Sequence, residues 1–133
     1  MPVIKPIAGH TSVRGVSDYL QKDGRALAVD LYNLSWDEDR DAELDPDLKQ
    51  DVDWAAEMDL TRIANGNDTP WRGKRARTYM HFIVSPDPKD KVTLPQLREL
   101  TRAWIRENWD GYECAAVFHD DNANEVMHAH VVV

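Results

Sequence analysis

The sequence predicts an α+β fold: an antiparallel sheet with helices packed on one face and three histidines on the other. Three observations lead there. Residues 78–85 alternate as a strand does, with Tyr79, His81, Ile83 and Ser85 on one face and Met80, Phe82 and Val84 on the other. Residues 115–119 and 128–133 read as two more strands, joined by the polar, turn-like stretch 120–127 into a hairpin. Val13, Val16 and Leu20, and later Leu97, Leu100 and Trp104, recur at helical spacing. The resulting order is strand, helix, insertion, strand, helix, strand, strand, an α+β layout in two layers.

Along the chain, residues 3–9 are a short apolar-alternating stretch and the first strand. Thr11 or Ser12 then caps a helix carrying the Val13, Val16, Leu20 stripe, with Tyr19 at its edge and Gly24 as terminator. Residues 26–34 are ambiguous between strand and short helix. Residues 36–53 are charged, contain Pro46, and read as a surface loop leading into a helix start. Residues 52–64 have helical composition, and Asn65-Gly66-Asn67 stops them. After a basic connection over 71–77 comes the strand 78–85, ended by Pro86 and Pro88. Thr93-Leu94-Pro95-Gln96 has the spacing of a capping box, with proline tolerated in the first turn, and opens a helix running to about Asn108. Gly111 begins the terminal hairpin.

The 133 residues are enough for one domain with a real core, and 42% apolar residues with five tryptophans argue for a folded globule. No apolar run approaches the ~20 residues of a membrane span, and no signal segment opens the chain. The lone cysteine, Cys114, lies in an apolar run, which excludes an internal disulfide and suits a reducing, cytoplasmic setting. The net charge of −8 is unevenly spread: residues 30–69 hold thirteen acidic against three basic side chains. The remainder is mildly basic, with Arg72, Lys74, Arg75 and Arg77 together just after the acidic stretch. We therefore read residues 1–133 as a single domain with an acidic insertion over 36–70, and its global charge does not exclude a polyanionic ligand.

The richest stretch is the last. On a strand, His128 and His130 leave the same face ~7 Å apart, at a rise of ~3.3 Å per residue. The hairpin brings a third imidazole, His119, beside them. Three histidines on one face leave coordination positions open, as a catalytic metal site requires and a closed structural site does not.

Three blocks then carry a family likeness: Thr11-Ser12-Val13-Arg14-Gly15-Val16 running into Tyr19-Leu20-Gln21-Lys22-Asp23-Gly24; His81-Phe82-Ile83-Val84-Ser85-Pro86; and His119-Asp120-Asp121 followed by His128-Ala129-His130-Val131-Val132-Val133. In this order the chain resembles the HUH-type relaxases of mobilisable plasmids and integrative elements, above all the branch that includes the T-DNA border-nicking relaxase. The resemblance implies that Tyr19 is the nucleophile, that His119, His128 and His130 hold a divalent metal ion, and that Asp121 is a carboxylate supporting the ligands. Ser85 would help place the DNA backbone, with Arg14, Arg25, Arg72, Lys74, Arg75 and Arg77 as further DNA contacts. The implied reaction is strand- and site-specific nicking through a 5′-phosphotyrosyl intermediate. Magnesium or manganese is the expected working ion; zinc or nickel binds imidazole more tightly and is expected on isolation. The implied partners are single-stranded DNA at a transfer origin and accessory mobilisation proteins, with no membrane involved.

Elementary chemistry agrees. A cation on a non-bridging phosphate oxygen offsets the charge gathered during attack, and a covalent link conserves the phosphodiester for rejoining. Tyr32 is the fallback nucleophile, because it also precedes the metal block. His81 reads as a hydrogen-bonded structural histidine, and His10 has no assigned role. Rolling-circle initiators and single-tyrosine transposases share the metal block, but their nucleophile follows the histidine pair. A zinc hydrolase would need no tyrosine, and a truncated DNA-binding remnant would do no chemistry. We also expect the domain to be truncated at its C-terminus, leaving residues 131–133 as an unpaired, apolar strand edge that invites self-association.

Overall fold

The computed structural model describes residues 3–66, 78–120 and 127–133. Five strands, β1 (Val3–Gly9), β2 (Ala28–Tyr32), β3 (Tyr79–Ser85), β4 (Cys114–His119) and β5 (His128–Val132), form one sheet in the order β1-β3-β5-β4-β2. Every neighbouring pair is antiparallel. The helices are α1 (Val13–Gln21), α2 (Asp47–Gln50), α3 (Trp54–Ala64) and α4 (Leu94–Asn108). The predicted α+β class and antiparallel sheet are what the chain adopts.

Local signals explain most boundaries. Ser12 caps α1 by accepting from the Arg14 amide, and the Asp59 carboxylate accepts from the Val13 amide, so α3 helps to start α1. The chain leaves α1 through a 3₁₀ turn, Lys22–Gly24, in which Gly24 takes φ +70. The capping box at α4 is formed in full: Thr93 accepts from the Gln96 amide and Gln96 accepts from the Thr93 amide. The ambiguous stretch 26–34 is resolved by long-range pairing, since Ala28–Tyr32 runs antiparallel to 114–118 as strand β2.

The sheet is covered on both faces, which differs from the single helical layer expected. On one face α4 buries Leu97 and Ile105 against Tyr32, Val84, Cys114, Ala116, Phe118, Ala129 and Val131. Leu100 is exposed, and the buried row is Leu97, Thr101 and Ile105 at i, i+4 and i+8. The histidines do stand on the face opposite α4. That same face also receives α1 and α3, whose Val13, Leu20, Trp54, Ala55 and Met58 pack on Leu31, Ala115, Val117 and Val132. An apolar stripe says that a helix must dock, not on which face.

The edge expected at residues 131–133 does not exist. β5 is the central strand, flanked by β3 and β4; Val131 and Val132 are fully buried, and Val133 exchanges both backbone hydrogen bonds with Met80. The self-association argued from an open edge therefore loses its basis.

Part of the acidic insertion is docked against the sheet. Along the outer edge of β2, Glu38 accepts from the Leu31 amide through its side chain and donates its own amide to the Leu31 carbonyl. Asp37 accepts from the amides of Asn33, Asp39 and Arg40. Arg98, Arg102 and Arg106, one turn apart on α4, reach Asp30, Asp39 and the Asp37/Asp39 pair respectively. Lys49 bridges Asp30 and Glu38. The acidic segment thus covers an edge strand and neutralises the arginine row of α4.

Candidate metal centre

The β4–β5 register builds the site. His119 stands directly opposite His128, and His130 stands opposite Val117, so all three imidazoles leave the same face at one end of the hairpin. Ring centroids are 5.6 Å apart for His119 and His128, 4.6 Å for His119 and His130, and 4.9 Å for His128 and His130. One nitrogen from each ring lies within 4.8 Å of the others, and all three residues are buried. Strand pairing holds the donors in place before any cation arrives.

Hydrogen bonds decide which nitrogens can ligate. His119 Nε2 is 2.6 Å from the Leu20 carbonyl oxygen, which can only accept, so Nε2 carries the hydrogen and Nδ1 carries the lone pair. His130 Nδ1 is 2.8 Å from His81 Nε2, while His130 Nε2 is buried without a hydrogen-bond partner. Burial, reinforced by His119, His81 and His128, pushes the His130 pKa down to about 3. Burial, and secondarily His119, lowers that of His81. Both rings are therefore neutral near pH 7, the form in which imidazole binds metals. A buried nitrogen lone pair with no hydrogen-bond partner on His130, inside a set of three buried imidazoles, fits a divalent cation.

α1 meets this site through its C-terminal turn. Leu20, whose carbonyl holds His119, follows Tyr19, which is 61% exposed. Arg25 donates to the Tyr19 carbonyl at 3.2 Å and lies over its ring, 4.9 Å from the centroid. The fallback nucleophile stands apart from this site. Tyr32 lies on the α4 face, is 1% exposed and sits beneath Arg106, and burial raises its pKa.

Of the other sequence candidates, Ser85 ends β3 on the histidine face, half-buried. Arg14 is paired with Asp53 at the start of α1. Asp121, Arg72, Lys74, Arg75 and Arg77 lie outside the described residues. Two further groups touch the ligands: the Leu20 main chain, which sequence reasoning passes over, and His81, expected as a hydrogen-bonded structural histidine and here bonded to His130. The first carries no sequence signal. The second is two positions along the histidine face from Tyr79, and its partner emerges only once β3 is known to lie beside β5.

A family profile described as the relaxase MobA/VirD2-like nuclease domain matches residues 32–133. Among solved structures, the fold is similar to the MobM relaxase domain (MOBV) bound to plasmid oriT DNA of 23 nucleotides, in a manganese-bound crystal at pH 6.5. That match has a TM-score of 0.56 and 17% identity, covering 99% of this chain and 67% of the other. A second manganese-bound crystal of the same domain, with 22 nucleotides of oriT DNA, matches at TM-score 0.57 and 18% identity, over 99% and 69% of the two chains. At such identities the likeness is one of fold. No curated protein gives a significant match. Among the described residues, no helix is long and apolar enough to cross a membrane.

Proposed function

The chain belongs to the MobA/VirD2-like relaxase nuclease-domain family, the DNA-nicking enzymes of plasmid mobilisation, and from that premise we propose a metal-dependent transesterification with Tyr19 as nucleophile. The observation that carries this reading is the hydrogen bond from His119 to the Leu20 carbonyl. It fastens the histidine cluster to the turn of α1 that bears an exposed tyrosine.

In this reading His119, His128 and His130 hold a divalent cation, magnesium or manganese in function. When bound, the ion offsets negative charge on a non-bridging oxygen of the scissile phosphate. The chain's own groups do the rest. The Tyr19 oxygen attacks phosphorus, the bond to the 3′ oxygen breaks, and the phenolic proton ends on that oxygen. The products are a 5′-phosphotyrosyl link and a free 3′-hydroxyl. Arg25, held against the Tyr19 ring and carbonyl, brings positive charge to the side from which the phosphate approaches. Asp121 supports a ligand histidine, and Ser85, Arg14, Arg72, Lys74, Arg75 and Arg77 contact the DNA backbone. The substrate is single-stranded DNA at a transfer origin, as the oriT DNA of the MobM crystals supports, and accessory mobilisation proteins assist it. Residues 1–133 act as one nuclease domain, with 36–70 as an acidic insertion in it.

A labelled single strand carrying the transfer origin, incubated with manganese and run on a denaturing gel, tests the assignment. Wild type and Tyr32→Phe are expected to give a protein–DNA band, and Tyr19→Phe to give none while still binding the strand. A shifted band from Tyr19→Phe would move the nucleophile elsewhere.

A further inference from the structure

We propose that His81 is a positioning residue of the metal centre: its Nε2 accepts the Nδ1 hydrogen of His130 and so holds His130 in the tautomer that offers Nε2 to a cation. The proposal rests on the metal-site reading above and adds a fourth imidazole to it.

The sheet register makes the contact. His81 on β3 is the direct partner of Val132 on β5, which puts it diagonally beside His130 on the same face. The two ring centroids are 5.0 Å apart, with planes tilted by 42°, and the nitrogens approach to 2.8 Å. Two neutral imidazoles share one hydrogen in such a bond, so one ring must donate and the other accept.

The surroundings of His130 decide which. Were His81 the donor, His130 would carry its own hydrogen on Nε2, a buried atom with no hydrogen-bond partner. With His130 as donor, its hydrogen is satisfied and Nε2 presents a lone pair instead. A bound cation then satisfies that lone pair. The Leu20 carbonyl does for His119 what His81 does for His130. One acceptor is main chain and fixed; the other is a side chain that substitution can remove.

Ligating histidines held by an outer acceptor lose metal affinity when that acceptor is removed, typically by ~10–100-fold. Two variants separate the acceptor from mere packing. His81→Leu keeps apolar bulk and removes the acceptor, whereas His81→Gln places an amide oxygen at similar reach. Nitrogen-15 NMR of the metal-free wild type is expected to report His130 with its hydrogen on Nδ1. Manganese calorimetry is expected to show binding weakened ~10–100-fold in His81→Leu and largely restored in His81→Gln. His130 found with its hydrogen on Nε2 in the wild type overturns the proposal, as does equal weakening in both variants. The wild-type spectrum needs no variant to fold, so misfolding of His81→Leu does not protect the idea. If His128→Ala/His130→Ala binds manganese as well as wild type, the metal reading falls and His81 falls with it. If that double variant loses binding while His81→Leu matches wild type, only the role of His81 is overturned.

Discussion

Cys114 is fully buried on the α4 face of β4, with its Sγ 3.5 Å from the Tyr112 carbonyl oxygen. Burial pushes its thiol up to about 12, with Arg106 opposing and Glu113 adding to the shift. Thiolate is the reactive form, so this cysteine is inert while the protein is folded. A disulfide reagent such as Ellman's at pH 8 is expected to label it only at the rate of unfolding; fast stoichiometric labelling of native protein would contradict that burial. The tyrosines make the complementary point. Tyr19 and Tyr32 both precede the histidines along the chain, and the fold separates them by sheet face and by exposure, 61% against 1%. Exposure at a helix edge was partly legible, because Tyr19 falls beside the Val13, Val16, Leu20 stripe. The burial of Tyr32 was not, because it depends on β4 turning an ambiguous segment into a strand.

Among the elements, the hairpin that bears the histidines was the most legible, since period-two alternation and a polar turn define both strands and their shared face. The α4 capping box was equally plain. The docking of the insertion was not: an acidic run and a row of arginines each look like a solvated face until the fold brings them together. Their pairing has a measurable signature. Burial opposes ionisation of Asp37, but the amides of Asn33, Arg40 and Asp39, and then Arg106, outweigh it and leave its pKa below the usual carboxylate value. Burial likewise opposes ionisation of Asp39, and Arg102 and Arg106 outweigh it. A lowered folded pKa contributes stability that is fully present above the ordinary carboxylate value of ~4 and is lost as pH falls through the folded value. Arg106→Gln is therefore expected to cost about 1–2 kcal/mol at pH 7, held down by the partial exposure of Asp39. Urea unfolding should show the gap to wild type closing on acidification below about pH 4. A gap independent of pH would mean that Arg106 acts by packing over Tyr32 instead.

For the whole molecule, charge and topology set the terms. The arginines of α4 are occupied by Asp30 of β2 and by the insertion, so a net of −8 coexists with DNA binding only if the contacts lie elsewhere. Single-strand affinity is expected to fall with salt at a log–log slope of roughly −0.7 per phosphate contact. Neutralising Arg72, Lys74, Arg75 and Arg77 together should flatten that slope, and an unchanged slope would assign the surface to other residues. Topology has a further consequence, in the timing of synthesis. The sheet consists of two ribbons, β1 with β3 and β2 with β4, and β5 alone joins them. β5 also carries two of the three histidines and follows the other four strands along the chain. A nascent chain therefore holds neither a complete five-stranded sheet nor the full histidine trio until residues 128–132 have been made and inserted between the ribbons. Chains ending before residue 128 are expected to unfold without a cooperative transition and to bind no manganese, and a sharp calorimetric transition from such a fragment would refute that dependence on β5.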